Sequence, residues 1–425
     1  MSTSKFEVIE HTVLGQHIRH YYHATAGSQE DELLLSVKQY KPQRLPKSGD
    51  VTIIAAPAVG LPKEVYEPLW DALFVQMEKQ QIGIRGIWIA DYVDQGASNL
   101  LNEGKLGNEP SVFDHSRDYY NLVNHFRREM PLPLVGIGHS LGGAVLTSLS
   151  LMHPRLFSSL SLVEPALNPV PIDPVQIGVM AVAFRKDIWP SRKAAMTEIE
   201  RLPQYRSWEP RSLELFKQFG LVALDREQKP EGSVTLATSR HQEAFNIARS
   251  FLTEDDCDTL PRHTHSDADS TTKTPGRHFY NLNPLIAARL PALRPSCQYV
   301  YGGKSTWGLP SVMKNRKQRL EVTGTGTDGS GGQAQDRVVE TYVKGGAHLI
   351  AQEAPEELAN AMTNWFSAQL GRWGEEQAEQ ARKWDAVNAD QKHLPTEEWR
   401  HWAKEDVKKY KEEQKAQKEA KKPKL

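Results

Sequence analysis

Ser140, His348 and Glu164 lie far apart in this 425-residue chain, but their types and local patterns together suit acyl transfer. Ser140 stands in Gly138-His139-Ser140-Leu141-Gly142, directly after the apolar run Leu132-Pro133-Leu134-Val135-Gly136-Ile137. An apolar strand, a glycine-flanked serine and then Gly143-Ala144-Val145-Leu146 opening a helix is the context of a nucleophile elbow. Its sharp turn presents the hydroxyl, and the residues at 138 and 142 must lack bulk so that strand and helix can pack closely. A serine hydroxyl is a weak nucleophile near neutral pH, so it needs a base within hydrogen-bond reach and an acid to orient that base.

Of the fifteen histidines, His348 in Gly345-Gly346-Ala347-His348-Leu349 is the best base, because it follows a strand ending at Val343 and precedes the last apolar helix. The loop Gly302-Gly303-Lys304-Ser305-Thr306, a common place for the acid, contains no carboxylate. The strand after the elbow helix does end on one, in Leu162-Val163-Glu164-Pro165-Ala166, which makes Glu164 the candidate acid. An oxyanion needs preorganised donors. Leu141 N–H, next after the nucleophile, is one, and the loop Pro57-Ala58-Val59-Gly60-Leu61 supplies the other through Val59, with Ala58 as the alternative. Pro57 has no N–H to give.

The elements that position these groups follow from periodicity. Phe6-Glu7-Val8-Ile9 and Leu33-Leu34-Leu35-Ser36-Val37 read as an antiparallel pair, and Val51-Thr52-Ile53-Ile54-Ala55-Ala56 as a buried parallel strand. A helix over 66–80, a strand over 84–90, a helix over 114–130 and a strand over 160–163 continue the alternation. That rhythm predicts an α/β fold with a mostly parallel sheet covered on both faces. It defines a first core part, 1–168. Between 169 and 285 it stops, and helical, aromatic-bearing segments over 179–187 and 211–219 predict a helical cap whose Trp189 lines an acyl pocket alongside His139. The second core part, 286–370, resumes at Cys297-Gln298-Tyr299-Val300-Tyr301, and 371–425 is a charged helical tail. The polar stretch 253–278 and the Gly/Thr/Ser-rich stretch 323–335 read as disordered or flexible.

The formal charge is −1 and the isoelectric point near 7.0, so no whole-chain field selects nucleic acid or an anionic membrane. Two cysteines, Cys257 and Cys297, are too few for a disulfide scaffold, and no apolar run is long enough to span a bilayer. A soluble intracellular protein is expected. His263-Thr264-His265 with Asp267 and Asp269 lies in a stretch with no fixed element to hold a metal, and Gly302-Gly303-Lys304-Ser305 lacks the upstream glycine of a phosphate loop. No metal or cofactor is expected, since nucleophile and proton shuttle are protein groups.

The loop Pro62-Lys63-Glu64-Val65-Tyr66-Glu67-Pro68-Leu69-Trp70-Asp71, the elbow, the segment Asp187-Ile188-Trp189-Pro190-Ser191-Arg192 and Leu293-Arg294-Pro295-Ser296-Cys297 resemble the fungal peroxisomal α/β hydrolases. The resemblance runs from about residue 5 to 370. It implies the α/β-hydrolase fold and hydrolysis of an acyl-CoA thioester of secondary or toxin metabolism, with Ser140, His348 and the carboxylate at 164 as triad. The family carries aspartate where this chain has Glu164, and His-Gly where it has Pro57-Ala58. The residues alone leave open a lipase or carboxylesterase acting on uncharged esters, or a weakly active homologue that binds an acyl ligand. Pro423-Lys424-Leu425 is similar to the peroxisomal Ser-Lys-Leu address. The expected partners are therefore the acyl-CoA or ester substrate, a peroxisomal import receptor and a second copy of the chain in a homodimer.

Overall fold

The computed structural model describes residues 3–168, 179–224, 232–248, 284–305 and 310–420. β1 (Phe6–Leu14) and β2 (Leu34–Pro42) pair antiparallel over nine residues each, and every residue of β3 (Val51–Ala56) is buried. α1 (Glu67–Lys79), β4 (Ile84–Ala90), α2 (Gly96–Leu101), α3 (Val112–His125), β5 (Leu134–His139), α4 (Leu141–Met152) and β6 (Ser159–Val163) complete the first core part. The helix expected over 114–130 starts two residues earlier and ends at His125, with Ser111 capping its start by accepting the Phe113 N–H.

The inserted segment contributes α5 (Val179–Ala183), β7 (Ile188–Trp189), α6 (Arg192–Arg201), α7 (Pro210–Phe219), β8 (Leu221–Ala223), β9 (Val234–Leu236) and α8 (Arg240–Ile247). It is therefore not purely helical. β7, β9 and β8 form a three-stranded antiparallel sheet, whose strands of two or three residues are too short to leave a period-2 pattern. The core resumes with α9 (Pro284–Ala288), β10 (Ser296–Gly302), α10 (Pro310–Val322), β11 (Val338–Val343), α11 (Ile350–Glu353) and α12 (Pro355–Asp385).

The main sheet has eight strands in the order β1-β2-β4-β3-β5-β6-β10-β11. β2 joins β4 antiparallel, and from β4 to β11 every pairing is parallel. Alternation sends Ile53, Ala55, Ile137 and Val163 to one face and Ile54, Ala56, Leu160 and Leu162 to the other. The first face is covered by α1 through Leu69, Leu73 and Met77 and by α12 through Leu358, Met362 and Phe366, the second by α3 and α4. With both faces buried, the central strands carry near-continuous apolar runs. Trp189, Ile199, Trp208 and Phe216 of the inserted segment belong to the same buried cluster as α1.

The stretch 323–335 is ordered, contrary to expectation. Gly324, Gly326 and Ser330 donate N–H bonds to the carbonyls of Leu290, Pro291 and Leu293 over 2.9, 2.8 and 3.0 Å. Its glycines let two backbones lie this close, which a reading of composition as flexibility misses. The stretch 253–278 and the tripeptide 423–425 lie outside the described residues. Contacts divide the chain into one compact unit up to Leu370 and another over Gly371–Leu425. The second holds the end of α12 and α13 (Glu397–Ala420), with Trp399, Trp402 and Tyr410 exposed.

Candidate active site

Ser140 occupies the turn from β5 into α4 with φ 51 and ψ −113. A non-glycine residue in such a region costs on the order of 1–3 kcal/mol and persists only where its surroundings over-determine it. Here they do: Ser140 N–H donates to Val163 O and Ala166 N–H to Ser140 O, each over 2.9 Å. A Cβ on Gly142 would collide with the carbonyl oxygens of Ala56 and Pro57. Absence of that side chain lets the start of α4 lie against the end of β3, beside the loop 57–61.

His348 follows β11, and its Nε2 lies 3.2 Å from Ser140 Oγ. Its Nδ1 lies 3.5 Å from Glu164 Oε2, a spacing of the kind that tightens when substrate is bound. Glu164 directly follows β6, at φ 43, and is buried. Its Oε1 accepts the Gly302 N–H over 2.8 Å, and Ser305 Oγ donates to Oε2 over 3.5 Å. A Cβ on Gly302 would strike the Gly346 and Ala347 carbonyls, so this glycine lets the end of β10 touch both the acid and the loop of His348.

Sequence reasoning missed Arg316. From the middle of α10 its Nη2 donates to Glu164 Oε2 at 3.2 Å and Oε1 at 3.4 Å, while its guanidinium stacks 4.1 Å from the centre of the Tyr301 ring. Burial raises the Glu164 pKa, but the bond and charge of His348, then Arg316 and Gly302 N–H, outweigh it and hold the carboxyl below the ordinary value. The group therefore stays a carboxylate near neutral pH. No local signal marked Arg316, because its partner is 152 residues away in sequence. Beside it Arg319 donates to Leu167 O, Asn168 Oδ1 and Tyr301 Oη, tying α10 to the segment after β6.

Around the serine, Val59 and Leu141 both border the cavity. In the preceding loop Ala58 N–H is taken by Tyr66 Oη over 2.8 Å and Gly60 N–H by Gln95 Oε1 over 2.8 Å. Ala58 is therefore removed as the alternative donor, and Val59 N–H is the one between them left unengaged among the described residues. Lys63 anchors the far end of this loop: its N–H and its Nζ each donate to a different oxygen of the buried Asp91, both over 2.9 Å.

The cavity over Ser140 has a volume of about 840 Å³ and reaches from Val59, Leu61 and Pro165 to Tyr205, Trp208 and Ile247 of the inserted segment. Trp189 and His139 are not among its lining. Trp189 is packed away at 3% exposure in the buried cluster it shares with α1, and the cavity wall carries Tyr205 and Trp208 instead. His139, the last residue of β5, is buried and bonded to Tyr66 and the His348 carbonyl. Among the described residues no group of three or more His, Cys, Asp or Glu is arranged to hold a metal. The histidines at 263 and 265 lie outside them.

An eight-stranded, mostly parallel sheet with a strained serine between strand and helix and a histidine after the last strand defines an α/β hydrolase of the serine type. Residues 69–225 match the family described as Hydrolase_4, serine aminopeptidase, S33. The chain is 34% identical to the type I acyl-CoA thioesterase mpaH of Penicillium roqueforti over 95% of its own length and 96% of the relative's. It belongs to this family of fungal α/β hydrolases. The abhydrolase domain-containing protein AFT2-1 of Alternaria alternata is 24% identical over 64% of this chain and 97% of its own. The peroxisomal α/β hydrolase Lpx1 of Saccharomyces cerevisiae shares the fold at TM-score 0.67 and 16% identity, over 97% of this chain and 99% of that one.

Proposed function

We propose that the protein hydrolyses acyl-CoA thioesters, with Ser140 as nucleophile, His348 as general base and then acid, and Glu164 as the group that orients His348. The observation that carries the mechanism is the 3.2 Å approach of His348 Nε2 to Ser140 Oγ, with Glu164 behind Nδ1. The thioester reading is supported by 34% identity over almost the whole length of a thioesterase. Ser140 Oγ attacks the thioester carbonyl as its proton passes to His348 Nε2, and the N–H groups of Leu141 and Val59 receive the developing oxyanion. Collapse expels the CoA thiolate, which takes the proton from His348. A water then attacks the acyl-enzyme by the same route and releases the carboxylic acid. The cavity of about 840 Å³, with Tyr205 and Trp208 in its wall, suits a bulky acyl group.

Purified protein assayed against acyl-CoA, p-nitrophenyl ester and triacylglycerol panels tests the reading. Thiol release from acyl-CoA at the higher kcat/KM supports it, and turnover of uncharged esters alone overturns it. Failure of a fluorophosphonate to label Ser140 in folded protein would assign a binding role instead. For location we propose the peroxisome, reached through an import receptor that reads Pro423-Lys424-Leu425. A fluorescent fusion that keeps this C-terminus should be punctate, and one lacking the tripeptide diffuse.

A further inference from the structure

Behind the nucleophile runs a hydrogen-bond chain that joins two loops of the site. His139 is 2% exposed. Its Nε2 lies 2.9 Å from the backbone carbonyl of His348, and its Nδ1 lies 2.9 Å from Tyr66 Oη. Ala58 N–H in turn donates to Tyr66 Oη over 2.8 Å. With a neutral imidazole, only one placement of protons satisfies all three contacts. The carbonyl oxygen can only accept, so Nε2 carries the hydrogen and Nδ1 must accept. Tyr66 O–H therefore donates to Nδ1 while its oxygen receives the Ala58 N–H. All donors then point one way, from Ala58 through Tyr66 and His139 to His348, an order in which each bond polarises the next.

The neutral ring is enforced by its surroundings. Burial, joined by the charge of His348, pushes the His139 pKa down to about 3, against the opposing pull of its bond to the His348 carbonyl and of Glu164. Tyr66 is buried and its pKa is raised by that burial, so the phenol keeps its proton. Both ends of the chain are sensitive positions. Ala58 directly precedes Val59, and engaging the Ala58 N–H fixes the peptide that orients the next one. The other end is the carbonyl of His348 itself.

We propose that His139 and Tyr66 are positioning residues that couple the oxyanion loop to the loop of the base, so that Val59 N–H and His348 Nε2 reach their working positions together. Neither residue borders the cavity over Ser140, so neither touches substrate. The inference rests on the roles proposed above for Ser140 and His348, but not on the identity of the acyl group.

The test is the second-order rate of fluorophosphonate labelling of Ser140 in Y66F, H139Q and the double variant, alongside their melting temperatures and kcat/KM for an acyl-CoA. Y66F removes only the hydroxyl. H139Q can place an amide N–H for the His348 carbonyl but has no acceptor at the position of Nδ1. Each single variant should label about tenfold more slowly: H139Q cuts the Tyr66–His139 bond, and Y66F cuts that bond together with the Ala58–Tyr66 bond. The double variant should be no more than about tenfold slower than wild type, because both changes cut the same link. Losses that multiply to about a hundredfold overturn the coupling, as do wild-type labelling rates accompanied by nothing more than lower melting temperatures. If H139Q does not fold, Y66F alone decides by the same labelling rate: slower supports the proposal and unchanged overturns it. Wild-type protein that labels but does not hydrolyse acyl-CoA would count against the thioesterase reading and leave this test in force.

Discussion

Ser140 and Glu164 directly follow neighbouring strands, and both sit at positive φ, yet they are held by different means. The serine is placed by its own neighbourhood: the end of β5, the glycine two residues on, and Val163 and Ala166 of the next strand and turn. The glutamate is placed from afar, by Gly302 at a separation of 138 residues and Arg316 at 152. A nucleophile built from a local turn tolerates much change elsewhere, whereas an acid built from three separate segments can be disabled by a residue that never meets substrate. Glutamate reaches one methylene farther than aspartate, and a clamp on both its oxygens limits where that extra reach can go.

The contrast is tested most severely by removing each group. S140A should reduce acyl-CoA turnover by about 10⁵–10⁶-fold with the fold intact by circular dichroism. E164Q should reduce kcat by about 10³–10⁴-fold, because an amide can hold the imidazole in the wrong tautomer. Turnover near wild type would remove Glu164 from the triad.

R316M asks whether the distant clamp matters. Loss of the cation should lower kcat/KM by about tenfold and remove one of the charges that hold the Glu164 carboxyl below its ordinary value, so the acidic limb of the pH profile should move to higher pH. A profile with an unmoved limb would reduce Arg316 to packing. A smaller effect concerns stability. The His139 pKa is about 3 in the folded chain against 6.5 for a free histidine, so below pH 6.5 the unfolded state binds a proton that the folded state refuses. The stability His139 confers is complete above pH 6.5 and is lost progressively towards pH 3. H139Q should flatten the curve of unfolding free energy against pH there, by up to about 1.4 kcal/mol per pH unit. Smallest of all, W189F should leave kcat/KM within about twofold, since Trp189 is packed away from the cavity.

Much of the site was legible from local pattern. Strand, glycine-flanked serine and helix share one stretch of chain, and His348 follows the last strand directly, so neighbours in sequence fix both. Glu164 was reached by elimination, since the loop after Tyr301 has no carboxylate. The β-strands of the main sheet were legible too, because burial on both faces leaves runs such as Val51–Ala56 that are apolar throughout. The three-stranded sheet of the inserted segment was not, its strands of two or three residues being too short for alternation to show, and the glycine-rich stretch 323–335 was misread because close packing of backbones and flexibility draw on the same residue.

By itself, then, the sequence determined the class of chemistry, the turn that presents Ser140 and the candidate for its base, each read from a few neighbouring residues. Only the tertiary structure decided that Arg316 clamps the acid, that Tyr66 and not the cavity takes the Ala58 N–H, and that His139 turns away from substrate to bond the carbonyl of His348. Each of these depends on a directional contact of about 3 Å between residues that the chain separates by as many as 209 positions. Such contacts exist only once the sheet has assembled and brought its strand ends together.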